Sequence, residues 1–133
     1  MWRDFPLHLA QHCGRCVIAY DRLGFGRSSP RPGTLSPDFI ETEAYEGFAC
    51  LYRQLGLDRF VVLGHSVGGC MAVNCAAAWP HACAGVITES AQAFVDEDIR
   101  AGIRAAEQQF ARPGPWQRLP QYHGDKTAQV LRA

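Results

Sequence analysis

Residues 61–70, VVLGHSVGGC, run from apolar side chains into a glycine, a polar pair and two more glycines. With Phe60 in front, FVVLG reads as a strand, and the small residues from Val67 to Trp79 read as a helix that Pro80 ends. Between them Gly64-His65-Ser66-Val67-Gly68 fits G-x-S-x-G where that pattern has a mechanical meaning, after a strand and before a helix. So tight a turn calls for residues without Cβ on either side of the serine, and Gly64 and Gly68 are there to supply them. The Ser66 hydroxyl then stands at the carboxyl end of a sheet. The Val67 amide, at the helix N-terminus, is placed to donate to an oxyanion with the helix dipole behind it. Close helix–strand packing explains the glycines, and suffices for Gly69, but it does not explain a hydroxyl at the point of the turn. His65 is adjacent in sequence, so its side chain should point away from that hydroxyl, and it reads as structural.

Working outward, the chain alternates in type. Residues 3–12 read as a short helix, with Asp4 as cap, Pro6 in the first turn and Gly14 past the end. CVIAY (16–20) reads as a strand, followed by the loop DRLGFGRSSPRPG (21–33). From Asp38 to Leu55, apolar Ile40, Ala44, Phe48, Leu51 and Leu55 recur at near-helical spacing, and Gly56 ends the run. AGVIT (84–88) is a third strand. Strands that show little alternation, separated by helices, predict an α/β fold: three layers, α/β/α, around a parallel sheet. After Thr88 no strand-like run appears. Asp96 caps a helix with Ile99, Ile103, Ala106 and Phe110 on one face, and the acidic Asp96, Glu97 and Asp98 read as its start.

The totals exclude several classes. At 133 residues the chain is about one domain long, and its 47% apolar content is that of an ordinary globular protein. Thirteen basic and thirteen acidic residues leave no basic field for nucleic acid or an anionic membrane. No apolar stretch approaches the ~18 residues of a membrane span. The opening MWRDFPLHLAQHCGRC lacks the pattern of a secretory signal, so the expected location is cytoplasmic. The six cysteines are expected to be buried free thiols. Cys13 and Cys16 form a C-x-x-C, but no second pair exists and His12 is too close in sequence to chelate well, so no metal is expected. Gly24-Phe25-Gly26 could open a dinucleotide fingerprint. The third glycine is missing, Ser29 stands near its place, and PRPG follows where a phosphate cradle needs a helix N-terminus.

The chain resembles the central part of the α/β-hydrolase fold family, in its serine-nucleophile branch. The resemblance rests on LGLDRFVVLGHSVGG (55–69), on VIAYDRLGFGRSSP (17–30), on WRDFPLHLA (2–10) and on ESAQAFVDEDIRAGIRAAEQQF (89–110). It implies a truncated core over residues 1–90 and the start of a helical cap or lid over 91–133. It also implies a serine hydrolase, with carboxylic ester hydrolysis through an acyl-enzyme on Ser66 and the Val67 amide in the oxyanion hole. C–C bond hydrolysis and a proline iminopeptidase-like aminopeptidase activity fit the same residues. Serine at the nucleophile position argues against the family's dehalogenases and epoxide hydrolases, which use Asp. No metal or organic cofactor is implied, and the partner is a small-molecule acyl or ester substrate.

By the same resemblance, a second oxyanion amide belongs to a loop just before residues 3–12, and the acid and histidine follow later strands in the order Ser, Asp/Glu, His. Glu89 is the best local candidate for the acid. His123, in QYHGDK, is the local candidate for the base, and it reads as cap surface. The family's third strand lies between those matched by 16–20 and 60–64, so either these two collapse together or a gap persists. A gene fragment, a truncated gene or one piece of a split enzyme fits this pattern. From another class, a non-catalytic remnant or interaction module fits too.

Overall fold

A computed structural model describes residues 2–110 and 114–130. Helix α1 (Phe5–Cys13) has Pro6 in its first turn and closes on Gly14, whose N–H donates to the Ala10 carbonyl at 2.9 Å. Residues 16–20, where the sequence predicts a strand, belong to no sheet. Their composition suits a strand, but a strand exists only where a neighbouring edge accepts its backbone bonds. Among the described residues nothing pairs with this segment. The expected three strands are therefore two: β1 (Phe60–His65) pairs in parallel with β2 (Cys83–Glu89). Helix α4 (Val67–Ala78) joins them in a βαβ crossover. Of the two outcomes foreseen for residues 16–20 and β1, the gap persists. A cavity of about 150 Å³ lies between them, with Phe5, Pro6 and Leu9 of α1 also in its walls.

The run from Asp38 to Leu55 is not one helix. It breaks into α2 (Phe39–Thr42) and α3 (Gly47–Gln54). At the break the Phe48 N–H donates to the Glu43 carbonyl, five residues back, at 3.0 Å. That extra residue turns the Glu43 side chain inward, where it is 3% exposed. There it accepts the Tyr20 hydroxyl at 2.9 Å and pairs with Arg22 at 3.4 Å. A Cβ on residue 47 would stand 2.4 Å from a Glu43 carboxylate oxygen, so Gly47 makes room for it. The apolar period of the sequence carries no trace of this, because a buried ion pair is not part of any hydrophobic pattern. Removing one member of such a pair leaves the other charge buried and unpaired. Glu43→Ala is accordingly expected to lower unfolding stability by about 3 kcal/mol in urea titration, the low end for a buried pair. A loss under 1 kcal/mol would mean that Arg22 finds solvent without Glu43.

The core sits where α3 and α4 cover one face of β1. Ala44, Phe48 and Cys75 are its buried centre, with Tyr52, Phe60, Val62 and Trp79 packed around them. Phe48 meets Phe60 edge-on at 4.9 Å, and Tyr52 meets Trp79 at 4.4 Å. The Trp79 indole N–H donates to the Ala44 carbonyl at 3.3 Å, which ties α4 to the α2–α3 break. All six cysteines are free, but only Cys75 is buried, and burial pushes its thiol up to about 12. Cys13, Cys16 and Cys50 are exposed, contrary to expectation.

Helix α5 (Glu97–Phe110) starts as the sequence predicts: the Asp96 carboxylate accepts the Ile99 N–H at 2.9 Å. Its apolar side has little to pack on among the described residues, and Ile103 is 53% exposed. Short turns α6 (Pro120–His123) and α7 (Thr127–Val130) follow. With the 3-10 turn Gly124–Lys126 between them, they fasten to the 21–33 loop by polar contacts: Lys126 donates to the Gly26 and Ser28 carbonyls, and Gln129 to that of Arg31 at 2.6 Å.

Candidate active site

Ser66 sits between the last residue of β1 and the first of α4, with φ 53° and ψ −125°. A left-handed φ at a residue with a side chain costs about 1–3 kcal/mol and persists only where the surroundings impose it. Here they do. The Ser66 N–H donates to the Glu89 carbonyl at 2.8 Å, continuing the sheet, while its carbonyl accepts the Gly69 N–H at 2.8 Å, opening the helix. One residue is held at both ends by different elements, and its hydroxyl stands at their junction.

The glycines of the motif do different work. A Cβ on residue 64 would lie 2.0 Å from the Gly68 carbonyl oxygen, so strand and helix can approach only through Gly64. A Cβ on residue 69 would lie 2.7 Å from the Ala91 side chain, the close packing expected of that position. Nothing lies within 4 Å of a Cβ built on residue 68. Only one of the two glycines flanking the serine is therefore demanded by space, which corrects the symmetrical reading of the motif. Val67, as the first residue of α4, has an N–H without an intrahelical acceptor, at the positive end of a twelve-residue helix.

Ser66 opens onto a cavity of about 390 Å³ that also includes Trp2, Tyr20, Arg22, Met71 and Cys75 in its walls. Tyr20 and Arg22, which hold Glu43, thus share a cavity with the serine, a feature that the sequence reading missed. Its only sequence signal is Gly47 inside an otherwise helical pattern. Arg22 lies over the rings of Phe25 and Phe39 at 4.9 and 5.4 Å and points Nη1 at the Met71 sulfur, 3.1 Å away. Its buried Nε is the atom that pairs with the Glu43 carboxylate at 3.4 Å, an ion pair without hydrogen-bond geometry. Burial lowers the Arg22 pKa from its ordinary value, opposed by the Glu43 charge. Burial raises that of Glu43, opposed by the Tyr20 hydrogen bond and the Arg22 charge. Tyr20 is raised by burial first and by Glu43 second, so it remains a neutral phenol.

The other sequence candidates are not assembled around the serine. Glu89 is level with His65 in the β1–β2 register, but its contact with Ser66 is through the backbone, and its side chain is exposed. The His123 Nδ1 accepts the Gly26 N–H at 2.9 Å and faces Phe25, fastening α6 to the loop. It lines a different cavity from Ser66. Among the described residues no side chain hydrogen-bonds to the Ser66 hydroxyl. Neither do three His, Cys, Asp or Glu side chains come together there as metal ligands would. The Gly24–Gly26 stretch is a turn closed by the Gly24 N–H on the Ser29 carbonyl at 2.8 Å, with no helix opening behind it. That geometry lacks the amide-lined helix end a phosphate requires. No helix among the described residues is long and apolar enough to cross a membrane.

Comparison with known proteins agrees with this geometry. The alpha/beta hydrolase fold family model matches residues 1–122. A proline iminopeptidase of Saccharolobus solfataricus is 31% identical over 104 residues, covering 77% of this chain and 33% of that protein. The human serine hydrolase BPHL is 35% identical over 91 residues, 66% of this chain and 31% of its own length. The 1-acylglycerol-3-phosphate O-acyltransferase ABHD5 of Sus scrofa is 36% identical over 66 residues, 50% of this chain and 19% of that one. The chain thus spans between 19% and 33% of the length of these relatives.

Proposed function

Because the chain belongs to the alpha/beta hydrolase fold family, we propose that it carries the nucleophile of a serine hydrolase acting on carboxylic esters. The observation that carries this reading is the left-handed Ser66 at the strand-to-helix junction, beside the unshared Val67 N–H. In the reaction Ser66 Oγ bonds to the ester carbonyl carbon, and the carbonyl oxygen gathers negative charge within reach of the Val67 amide. The alkoxy group leaves with a proton as the alcohol, and water then cleaves the Ser66 acyl-enzyme to the free acid. The base that takes the Ser66 proton is a group other than Glu89 and His123, since the Glu89 side chain is exposed and the His123 Nδ1 is engaged by the Gly26 N–H. The substrate is a small acyl compound seated in the Ser66 cavity, with the 91–133 segment as the beginning of a lid. The protein acts in the cytoplasm.

The test is covalent labelling, which needs one turnover only. Incubation with diisopropyl fluorophosphate in excess imidazole, which supplies the base that no described side chain offers Ser66, should modify Ser66 ahead of every other serine, as read by peptide mass spectrometry. Adducts spread evenly over the serines, or absent from Ser66, would sink the proposal. A second reading, an aminopeptidase, is favoured by the 31% identity to the proline iminopeptidase. Prolinamide that slows Ser66 labelling, where ethyl acetate does not, would select it.

A further inference from the structure

We propose a metal site apart from Ser66: His8 and His12 of α1 together chelate one divalent cation of the zinc class. Set against its neighbours Cys13 and Cys16, His12 is badly placed to share an ion. The helix gives it another partner, one turn back. His8 and His12 lie four residues apart inside α1, on one side of it, and both are exposed. That is the spacing by which a helix presents two imidazoles to one zinc ion. Two nitrogens at about 2.0–2.1 Å from a tetrahedral ion stand roughly 3.3 Å from each other. Side chains one turn apart, about 5–6 Å between Cβ atoms, converge to that distance without moving the backbone.

A hydrogen bond fixes the chemistry of one ligand. The His12 Nδ1 lies 2.7 Å from the His8 carbonyl oxygen. A carbonyl only accepts, so Nδ1 carries the proton and donates it. The neutral ring then has its lone pair on Nε2, the form in which imidazole binds a metal. Metal-ligating histidines are oriented in this way, by a hydrogen bond from the ring nitrogen that does not touch the ion. His12 is therefore held in a ligand's tautomer before any ion arrives. Asp4, four residues before His8 and exposed, adds a negative charge to the same row. It is not a third ligand: among the described residues no three His, Cys, Asp or Glu side chains come together around one ion. Water fills the remaining positions, so the site exchanges its ion readily. Imidazole donors suit zinc, copper and nickel, whereas magnesium and calcium take oxygen. The consequence in the fold is local. An ion that needs both rings on one face binds α1 only as a helix, and so stabilises it.

The test titrates the whole chain with zinc chloride, under a phosphine reductant, and follows amide hydrogen exchange in α1. Zinc should slow that exchange, and magnesium at the same concentrations should not. In His8→Asn and in His12→Asn the zinc midpoint should rise at least tenfold, and the double variant should be no worse than either, since a chelate is lost with its first ligand. Cys13→Ser combined with Cys16→Ser should leave the midpoint where it was. Exchange that zinc does not slow would overturn the site. Slowing that survives in either histidine variant would show a single imidazole and no chelate, which overturns it too. Slowing lost in the cysteine variant would move the ion to the thiols, with the same result.

Discussion

The purified 133-residue chain should hydrolyse p-nitrophenyl acetate little faster than its Ser66→Ala variant. A serine hydroxyl near neutral pH is a weak nucleophile until an adjacent base takes its proton. In this fold no side chain among the described residues is hydrogen-bonded to that hydroxyl, and His123 is engaged with the Gly26 amide on another cavity. Without a triad member, related sites retain only about 10³–10⁴ over water. Each oxyanion donor that a site lacks removes roughly a further 10²–10³. What remains is close to the background of an activated ester. Robust turnover that disappears in Ser66→Ala would show that Glu89 or His123 completes the site, or that a second copy of the chain supplies the base, and the expectation of an unactivated Ser66 would be wrong.

Gly64→Ala and Gly68→Ala should separate by several kcal/mol although both alter the same motif. The Gly64 methyl would stand 2.0 Å from the Gly68 carbonyl oxygen. That oxygen belongs to helix backbone, which cannot rotate aside as a side-chain tip can. Overpacking of this kind costs about 1–3 kcal/mol and occasionally more. In a chain with so small a core, Gly64→Ala should abolish the cooperative unfolding transition. At residue 68 the added methyl meets nothing within 4 Å, and the position is helical. Ala is favoured over Gly there by up to ~1 kcal/mol. Urea titration followed by circular dichroism reads both. Equal losses in the two variants would show that the motif's glycines are required symmetrically, as the pattern alone suggests.

The family and the elbow were legible because they rest on local chemistry. A strand, a sharp turn and a helix of small residues are contiguous in the chain, so the spacing Gly64, Ser66, Gly68 carries its own geometry. The Asp96 cap was legible for the same reason: its partner amide is three residues on. Residues 16–20 were not. Their β-type composition fits a strand, yet a ladder is a property of two segments, and a single sequence run cannot announce its neighbour's absence. The break at Glu43–Glu46 escaped as well, because its cause is a carboxylate held by Tyr20 and Arg22, more than twenty residues away.

The sequence by itself determined the family, the serine at the turn and the parallel crossover that presents it, since each follows from short-range sterics and backbone bonding. Only the tertiary structure decided which glycine the turn needs, that Arg22 and Tyr20 share a cavity with the serine, and that His123 is a fastening of the loop. Each of these depends on contacts between segments far apart in the chain. Such contacts are chosen by whether buried polar groups and strand edges find partners in three dimensions, and local propensity does not encode that choice.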